Sequence, residues 1–404
     1  MRPSLLSSAL VVAFLASPAF AQAPPAPNAP PAPAAPPAGN APPATNAPPA
    51  PDAQPPGANY KPLDAPLDTV LKSDTVANGI ATTRDGRIFL PFSRIDGSRG
   101  PQVVEWKDGK PVAYPDETWN GWTQGGDPAK AFVRVNALRI GPDGALWVVD
   151  TGAPGFEKPK LPHGPKIVKV DVAAGKVDRV YDLDGATSDK SFVDDIRFHG
   201  QIAYITDAGA PGVIVLDLAS GATRRVLDND PSMTAQRPMT GDAHVMRGPD
   251  GKPIKIHADQ LEVSPDGKFF FYQPASGPMS RIATRYLDDP KIDSKQLSKH
   301  VTTFAKTPST GGTAIDAEGT IYVSDVDHHR ILAIKADGSK SIVVEDRRLL
   351  WVDAMWIDDA GYLYMPAAQL DRMAPFNDGV SKVEYPIFVY KTKIGIGPPP
   401  SDHP

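Results

Sequence analysis

The chain has 404 residues and a net charge of −5, from 42 lysines and arginines against 47 aspartates and glutamates. Such a mild charge, without a basic cluster interleaved with aromatic residues, argues against nucleic acid as a partner. The sequence contains no cysteine, which excludes a thiol nucleophile, cysteine-bound zinc and iron–sulfur chemistry, and leaves stability to core packing.

The first 21 residues are typical of a secretory signal. Arg2 gives a positive start, residues 9–15 are apolar, and Ala19-Phe20-Ala21 offers a small-x-small cleavage pattern. We therefore expect an exported protein, periplasmic or secreted, whose mature chain has no membrane span. Residues 22–66 are mostly Pro, Ala, Asn and Gly. Because proline fixes φ and alanine has little to bury, this segment is predicted to be a disordered linker.

After the linker, one phrase occurs six times. Each copy has a small residue, an apolar strand, a tight turn containing glycine, and a second apolar strand. The copies begin at these residues: Asn78, Asn136, Asp194, Asp259, Gly311 and Asp353. The turn glycine follows after eight residues in five copies and after six in the third. Successive turn glycines are 42 to 67 residues apart, which fits a unit of four strands with loops of variable length.

These repeats predict an all-β fold, a six-bladed β-propeller over residues 67–391, with four antiparallel strands in each blade. The strands of the second blade, for example, are predicted to be Ala137–Ile140, Leu146–Val149, Lys166–Asp171 and Lys176–Tyr181. The sixth blade has only three strands before the chain runs out. Leu67–Leu71 is predicted to supply its fourth strand, so that N- and C-terminal strands close the ring and no sheet edge stays open. Residues 392–404 are predicted to be a disordered tail.

Longer phrases in the blades resemble a known family. They follow one another in order, in the blades from about residue 87 to 391: LWVVDTG (146–152), PKIVKVDVAAGKVDRVYDL (165–183), AYITDAGAPGVIVLDLASG (203–221), LEVSPDGKFFFYQPASG (261–277) and VDAMWIDDAGYLYM (352–365). With these phrases the chain resembles a bacterial member of the major royal jelly and yellow proteins, which are related to the six-bladed regucalcin and gluconolactonase propellers. The resemblance implies a secreted propeller whose ligands enter at one end of the channel.

The resemblance does not fix a reaction. Insect relatives include pigment-pathway proteins, nutritional proteins and salivary binders of biogenic amines, whereas the gluconolactonase group consists of metal-dependent lactonases. Two departures matter here. The cysteines common in insect members are absent, and no early glutamate completes the metal set of the lactonases.

The first residues of the repeats are expected to converge on one mouth of the channel. Five of the six copies carry a side-chain oxygen at this position: Asn78, Asn136, Asp194, Asp259 and Asp353. Amide and carboxylate oxygens are the ligands that Ca²⁺ and Mg²⁺ prefer, so all five are candidate metal ligands. A cation there would polarise a lactone or ester carbonyl and acidify a water. The alternative is that Asn and Asp at strand starts only bond nearby backbone groups.

Long loops that lead into innermost strands are candidate lids for this mouth, namely Tyr114–Val135 and Asp228–His257. Their candidate functional residues are Trp119 and Trp122 for stacking a ligand, Arg237 and His244 for binding it, and His257 as a general base, beside Asp353. The alternative is that the two tryptophans pack between blades and that the loop histidines are merely solvated.

Other aspartates are predicted to have structural roles. Asp150, Asp207 and Asp325 recur at the ends of second strands, which indicates bonding to turn amides. Asp194 and Asp195 are neighbours in one strand, so they are predicted to point to opposite faces and not to form a catalytic pair.

Two functions therefore fit the sequence. One is an exported, metal-dependent lactonase or esterase of the gluconolactonase type, with one divalent cation, Ca²⁺ or Mg²⁺. The other is a metal-free, non-catalytic protein that binds a small aromatic or amine ligand. A protein-interaction platform tethered by the linker is a third reading. We expect a small-molecule ligand or substrate, no organic cofactor and a monomer.

Overall fold

Six four-stranded antiparallel sheets surround a central channel in the computed structural model, which describes residues 66–155 and 158–404. The predicted six-bladed β-propeller is therefore confirmed. The predicted signal segment, and all of the predicted linker except residue 66, lie outside the described residues. None of the helices in the described part of the chain is long and apolar enough to cross a bilayer.

The strands are numbered along the chain, and the first is β1 (Asp68–Ser73). In the first sheet the strands from the channel outward are β2 (Ala81–Thr82), β3 (Ile88–Pro91), β4 (Val103–Lys107) and β5 (Lys110–Ala113). In the second sheet they are β6 (Val135–Ile140), β7 (Leu146–Asp150), β8 (Lys166–Asp171) and β9 (Lys176–Asp182). In the third sheet they are β10 (Val193–His199), β11 (Ile202–Asp207), β12 (Gly212–Asp217) and β13 (Thr223–Val226). A small hairpin follows, made of β14 (Thr240–Gly241) and β15 (His244–Val245).

The last three sheets have the same order from the channel outward. The fourth sheet consists of β16 (Ala258–Val263), β17 (Phe269–Pro274), β18 (Met279–Ala283) and β19 (Thr302–Ala305). The fifth consists of β20 (Thr313–Ile315), β21 (Ile321–Asp325), β22 (Arg330–Ile334) and β23 (Lys340–Glu345). The sixth consists of β24 (Trp356–Ile357), β25 (Tyr362–Ala367), β26 (Ile387–Lys393) and β1. The helices are short: α1 (Glu117–Asn120), α2 (Thr284–Asp288) and α3 (Ser294–Ser298), with 3₁₀ turns at Asp184–Ala186, Leu370–Arg372 and Ala374–Phe376.

A repeated turn joins the first and second strands of a blade. Its glycine has a left-handed backbone, as at Gly144 with φ of +75°, a conformation that glycine adopts without a steric penalty. An aspartate in the turn then accepts a hydrogen bond from an aromatic residue of the second strand. Trp147 Nε1 donates to Asp143 at 3.0 Å, and the Tyr322 hydroxyl donates to Asp316 at 2.9 Å. The repeat thus fixes both the turn and the aromatic ring beside it.

These second-strand aromatic rings pack between neighbouring blades, as the sequence predicts. The Trp147 ring lies 5.0 Å from Phe198 of the next blade, and Tyr204 lies 4.8 Å from Phe270 of the blade after that. A ring of this kind buries about 150–250 Å². At about 25 cal/mol per Å², each contributes roughly 4–6 kcal/mol to the free energy of folding before entropic costs.

Two of the three aspartates at the ends of second strands bond loop amides as predicted, whereas the Asp325 carboxylate instead accepts a hydrogen bond from Arg330 Nε at 2.8 Å. Asp150, fully buried, accepts the backbone N–H groups of Val133 and Arg134 at 2.8 and 2.9 Å. Asp207 accepts the N–H of Phe192 in the same way, at 2.8 Å. Because the accepted amides belong to the loop entering the same blade, these carboxylates fix the loops above the channel.

The sixth sheet combines the two ends of the described chain. β1 pairs with β26 in antiparallel register, with Asp68 opposite Lys391 and Ser73 opposite Ile387. The first described strand is therefore the outermost strand of the last sheet.

The C-terminal residues differ from the disordered tail that was predicted. β26 continues to Lys393, and Asp402 and His403 beyond it are buried, with 9% and 4% of their surface exposed. Asp402 accepts hydrogen bonds from Arg139 Nη2 of β6 at 2.9 and 3.2 Å. The His403 ring stacks on Trp356 of β24 at 3.8 Å. The end of the chain thus joins the second and sixth blades at the end of the channel opposite the repeat's first residues.

We expect Asp402→Ala to lower the free energy of unfolding by about 3 kcal/mol, since it leaves the buried guanidinium of Arg139 without its nearest carboxylate. Asp359→Ala is the matched control, because its ion pair with Arg84 is largely exposed and is expected to contribute less than about 1 kcal/mol. Urea unfolding followed by tryptophan fluorescence measures both. Equal, small losses in the two variants would contradict a stabilising role for the tail.

Candidate functional site

The first residues of the six repeats meet at a neck of the channel, as predicted. We call this set the rim; its members are Asn78, Asn136, Asp194, Asp259, Gly311 and Asp353. All six line a cavity of about 450 Å³ on one side and a narrow cavity of about 30 Å³ within the channel on the other. The rim is therefore the floor of the wide cavity, and a molecule in that cavity contacts it directly.

Bulges in the innermost strands place three rim residues. The register shifts between Val135 and Ala137, and Asn136 lies in this bulge. The strands β10 and β16 have corresponding shifts, between residues 193 and 196 and between residues 258 and 261. A bulge inserts an extra residue and turns its side chain away from the regular alternation.

The bulge in β10 corrects one prediction. Asp194 and Asp195 were expected on opposite faces of the strand, but both line the narrow cavity of the channel. Alternation of side chains holds only while the ladder stays in register, and here the register shifts.

A chain of hydrogen bonds links rim residues of neighbouring blades. Asn78 Nδ2 donates to the backbone oxygen of Asn136 at 2.9 Å, and Asn136 Nδ2 donates to Asp194 Oδ1 at 2.8 Å. The carboxyl groups of Asp194 and Asp259 lie close enough for each to shift the pKa of the other. Gln260 Nε2 donates to Asp259 Oδ1 at 2.7 Å. Since each amide donates toward its neighbour, its own oxygen stays available to face the neck.

One rim oxygen has no partner. Asn78 has 4% of its surface exposed, and its Oδ1 makes no hydrogen bond with any described residue. A buried polar atom without a partner costs free energy, so such an atom at a site indicates that something else binds it.

A steric constraint explains why the fifth repeat begins with glycine. A Cβ atom on Gly311 would come within 2.3 Å of the backbone oxygen of Val352. The bare position in the rim is therefore required by the close approach of the sixth blade.

Burial and mutual repulsion raise the pKa of the rim carboxyl groups. For Asp194 desolvation is the main cause, the charge of Asp195 adds to it, and the pKa rises to about 7. Desolvation and the neighbouring carboxylates also raise the pKa of Asp259 and Asp353 well above the ordinary value. Desolvation and mutual repulsion thus favour the protonated form of these carboxyl groups.

Asp353 makes no hydrogen bond to the side chain of another described rim residue. Its Oδ1 accepts the N–H of Ala354 at 2.8 Å. The indole of Trp351 lies close enough to lower its pKa slightly, although Nε1 makes no hydrogen bond of good geometry with a described residue. Asp353 therefore has fewer side-chain hydrogen-bond partners than Asp194 and Asp259.

A buried ion network lies directly below the rim, and the sequence analysis missed it. Arg197, with 2% of its surface exposed, donates to Glu262 at 2.9 and 3.0 Å and to Asp195 at 2.6 Å. Arg139 connects this network to the C-terminal Asp402. The signal was present in the repeats, because Arg139, Arg197 and Glu262 each follow a rim residue by three positions.

The wall of the wide cavity above the rim is mostly apolar. Its apolar side chains include Ile95, Phe192, Ile254, Ile256, Leu370 and Phe376. The loop 228–257, predicted as a lid, contributes residues 254–256, whereas the loop 114–135 contributes none of the lining residues. The outer part carries three exposed lysines, Lys158, Lys190 and Lys255.

The other predicted site residues lie outside this cavity wall. Trp119 packs on Phe132 at 5.2 Å, and Trp122 Nε1 donates to a backbone oxygen of its own loop. Neither tryptophan lines the wide cavity, and the stacking of a ligand on them stays a prediction.

The loop 228–257 holds three predicted residues away from the rim. Arg237 donates to Ser309 at 3.1 Å, and His244 lies exposed in β15, on a separate cavity. His257 Nδ1 accepts the N–H of Ala235 at 3.1 Å, and burial lowers the pKa of the ring. His257 therefore has no described path for proton transfer at the rim.

The rim fits a hard cation only if its amides take part. Among residues 66–155 and 158–404, no three His, Cys, Asp or Glu side chains are arranged to hold a metal ion by themselves. The Asp194–Asp259 pair, with the unpartnered amide oxygen of Asn78 and that of Asn136, gives a set of oxygen donors suited to Ca²⁺ or Mg²⁺.

The fold is a six-bladed propeller in which a ring of carboxyl and amide side chains forms the floor of a cavity of about 450 Å³. Residues 133–396 match the model of the major royal jelly protein family, and the chain belongs to that family. No curated protein matches it.

Several solved structures are similar to this chain at low identity. A luciferin-regenerating enzyme is 13% identical with a TM-score of 0.51, over 83% of this chain and 97% of that chain. A gluconolactonase from Xanthomonas campestris is 14% identical with a TM-score of 0.48, over 81% and 90%. A virginiamycin B lyase from Staphylococcus aureus is 13% identical with a TM-score of 0.47, over 82% and 100%. At such identities the likeness concerns the fold alone.

The raised pKa of Asp194 predicts how stability depends on pH in chelator-treated protein. Between about pH 4 and pH 7 the unfolded chain loses this proton while the folded chain keeps it, so folding weakens as the pH rises through this range. Asp194→Asn removes the ionisation and is expected to stabilise the protein at pH 8 by at least about 1 kcal/mol.

Urea unfolding at pH 4, 6 and 8 measures this effect, and Asp189→Asn, an exposed aspartate at the outer cavity, is the control. If the free energy of unfolding depends on pH in the same way in the wild type and in Asp194→Asn, the pKa of Asp194 is not raised.

Proposed function

We propose that the protein is an exported propeller that binds one divalent cation, Ca²⁺ or Mg²⁺, at the rim and hydrolyses a lactone or ester held in the cavity above. The observation that carries this proposal is the unpartnered Oδ1 of Asn78 in a ring that also contains the partly exposed carboxyl groups of Asp194 and Asp259. Export rests on the signal pattern of residues 1–21.

Each rim residue has a distinct part in this proposal. Asn78 and Asn136 supply amide oxygens, and Asp194 and Asp259 supply carboxylate oxygens. The hydrogen bond from Asn136 Nδ2 to Asp194 orients both groups. Because desolvation and repulsion raise the pKa of these carboxyl groups, binding a cation displaces protons from them, so affinity rises with pH up to about neutral. The cation, when bound, polarises the ester carbonyl and acidifies a water molecule.

Asp353 is the residue proposed to move the proton. It lines both cavities and is not hydrogen-bonded to another rim side chain, so one carboxylate oxygen can accept a proton from water at the cavity floor. The apolar wall, with Phe192 and Ile256 among its residues, excludes bulk water and strengthens the electrostatic interactions at the rim.

A second candidate is metal-free binding of a small aromatic or amine ligand. The observation that favours it is that Asp194, Asp259 and Asp353 form no ion pair with a lysine or arginine among the described residues. An ammonium group at the cavity floor would supply the missing charge, and the apolar wall would hold an aromatic body. Membership of the family is compatible with both candidates.

We expect calorimetric titration with Ca²⁺ or Mg²⁺ to show one site per chain, with protons released at pH 6.5. Two buffers of different ionisation enthalpy measure that release. Asn78→Ala and Asp259→Asn are expected to weaken cation binding at least about tenfold, because each removes one oxygen donor or one charge; tenfold equals about 1.4 kcal/mol. Asp189→Asn at the outer cavity is the control and should bind as the wild type does.

Hydrolysis of a lactone and aryl-ester panel, with and without chelator, tests the reaction itself. The proposal predicts turnover that chelation abolishes and that Asp353→Asn reduces in kcat while cation affinity persists. If no cation binds, and phenethylamine binds with an affinity that Asp259→Asn abolishes, the second candidate replaces the first.

A further inference from the structure

The wide cavity has three chemical layers, and together they describe its ligand. The rim at its floor is acidic, and the wall above it is apolar. Its outer part carries Lys158, Lys190 and Lys255, and among the described lining residues Asp189 is the one exposed carboxylate there. The described residues of the outer layer thus carry more positive than negative charge.

The three lysines come from separate loops. Lys158 lies between β7 and β8, Lys190 precedes β10, and Lys255 precedes β16. None of the three forms an ion pair with another residue of the described part of the chain, and all three are exposed. Loops of adjacent blades thus bring unpaired ammonium groups to one opening.

Electrostatics orient a charged ligand in this cavity. An anionic group is attracted by the outer lysines and stays hydrated there, so it lies at the opening. Between the two charged layers, the ligand has to present an apolar surface to Phe192, Ile256 and the other wall residues. A volume of about 450 Å³ lies within the range for pockets that enclose small organic ligands.

We propose that the ligand is an amphipathic anion, whose apolar body fills the cavity and whose carboxylate, sulfonate or phosphate group binds the outer lysines. Its other end faces the rim, which under the proposed function is where the ester or lactone group reacts. The inference rests on the proposed function only for that reacting end. The same charge arrangement disfavours a simple amine, which would have to pass the lysines to reach the floor.

A matched pair of fluorescent probes tests this class of ligand. 8-Anilinonaphthalene-1-sulfonate and N-phenyl-1-naphthylamine share an apolar body, but only the first carries an anionic group. We expect the folded protein to bind the sulfonate at least about tenfold more tightly, with a preference that falls as salt rises. The double variant Lys190→Met/Lys255→Met is expected to lose this preference while its Kd for the neutral probe stays within about twofold.

Two control variants keep the test specific to the cavity. Lys110→Met/Lys176→Met removes two exposed positive charges on the outer strands β5 and β9, and should keep the preference. Ala208→Phe fills part of the cavity wall and should weaken binding of both probes, with the fold checked by circular dichroism.

Three results would overturn the proposal: equal affinity of the wild type for both probes, an unchanged preference in Lys190→Met/Lys255→Met, or undiminished probe binding in folded Ala208→Phe. Calcium titration of the same variants separates the two proposals. If the preference for the sulfonate is present while no cation binds, only the proposed metal-dependent reaction fails. If a cation binds at the rim while the preference is absent, only the ligand class fails.

Discussion

The convergence of the innermost strands on one neck is the constraint on which the site depends. Each blade supplies one rim residue, so carboxyl groups far apart in sequence are forced together in a desolvated place. Desolvation and mutual repulsion raise the pKa values of Asp194, Asp259 and Asp353. Such an arrangement is costly for folding unless a proton, a cation or a positively charged ligand reduces the repulsion. The neck is thus a place where stability and binding are coupled through charge.

The buried ion network below the rim separates the charges within the channel from those of the wide cavity. Arg197 is held between Glu262 and Asp195, and the C-terminal Asp402 is held by Arg139 on the same side. These guanidinium groups already have carboxylate partners within the channel, so they do not neutralise the floor of the wide cavity. The acidic rim consequently faces the wide cavity, with its apolar wall and outer lysines, and a ligand meets the three layers in order of depth.

The sequence predicts the blades and the rim but not the details that position them. Alternating apolar residues and turn glycines are local signals, and the position of Asn136 or Asp259 in its repeat specifies its place in the ring. The bulge that brings both Asp194 and Asp195 to the channel depends on strand pairing, which local patterns do not encode. The tail was predicted to be disordered, and no local pattern in residues 392–404 indicates otherwise. Its order comes from an ion pair between residues 263 positions apart.

A direct test of the central claim is an anomalous difference map from crystals of the mature protein soaked in Mn²⁺, a spectroscopically distinct substitute for Mg²⁺. The account predicts one peak at the neck, about 2.0–2.6 Å from oxygens of Asp194 and Asp259 and from at least one amide oxygen of Asn78 or Asn136. A saturating soak that gives no peak at the rim, or peaks only on the outer surface, would contradict the proposed cation site.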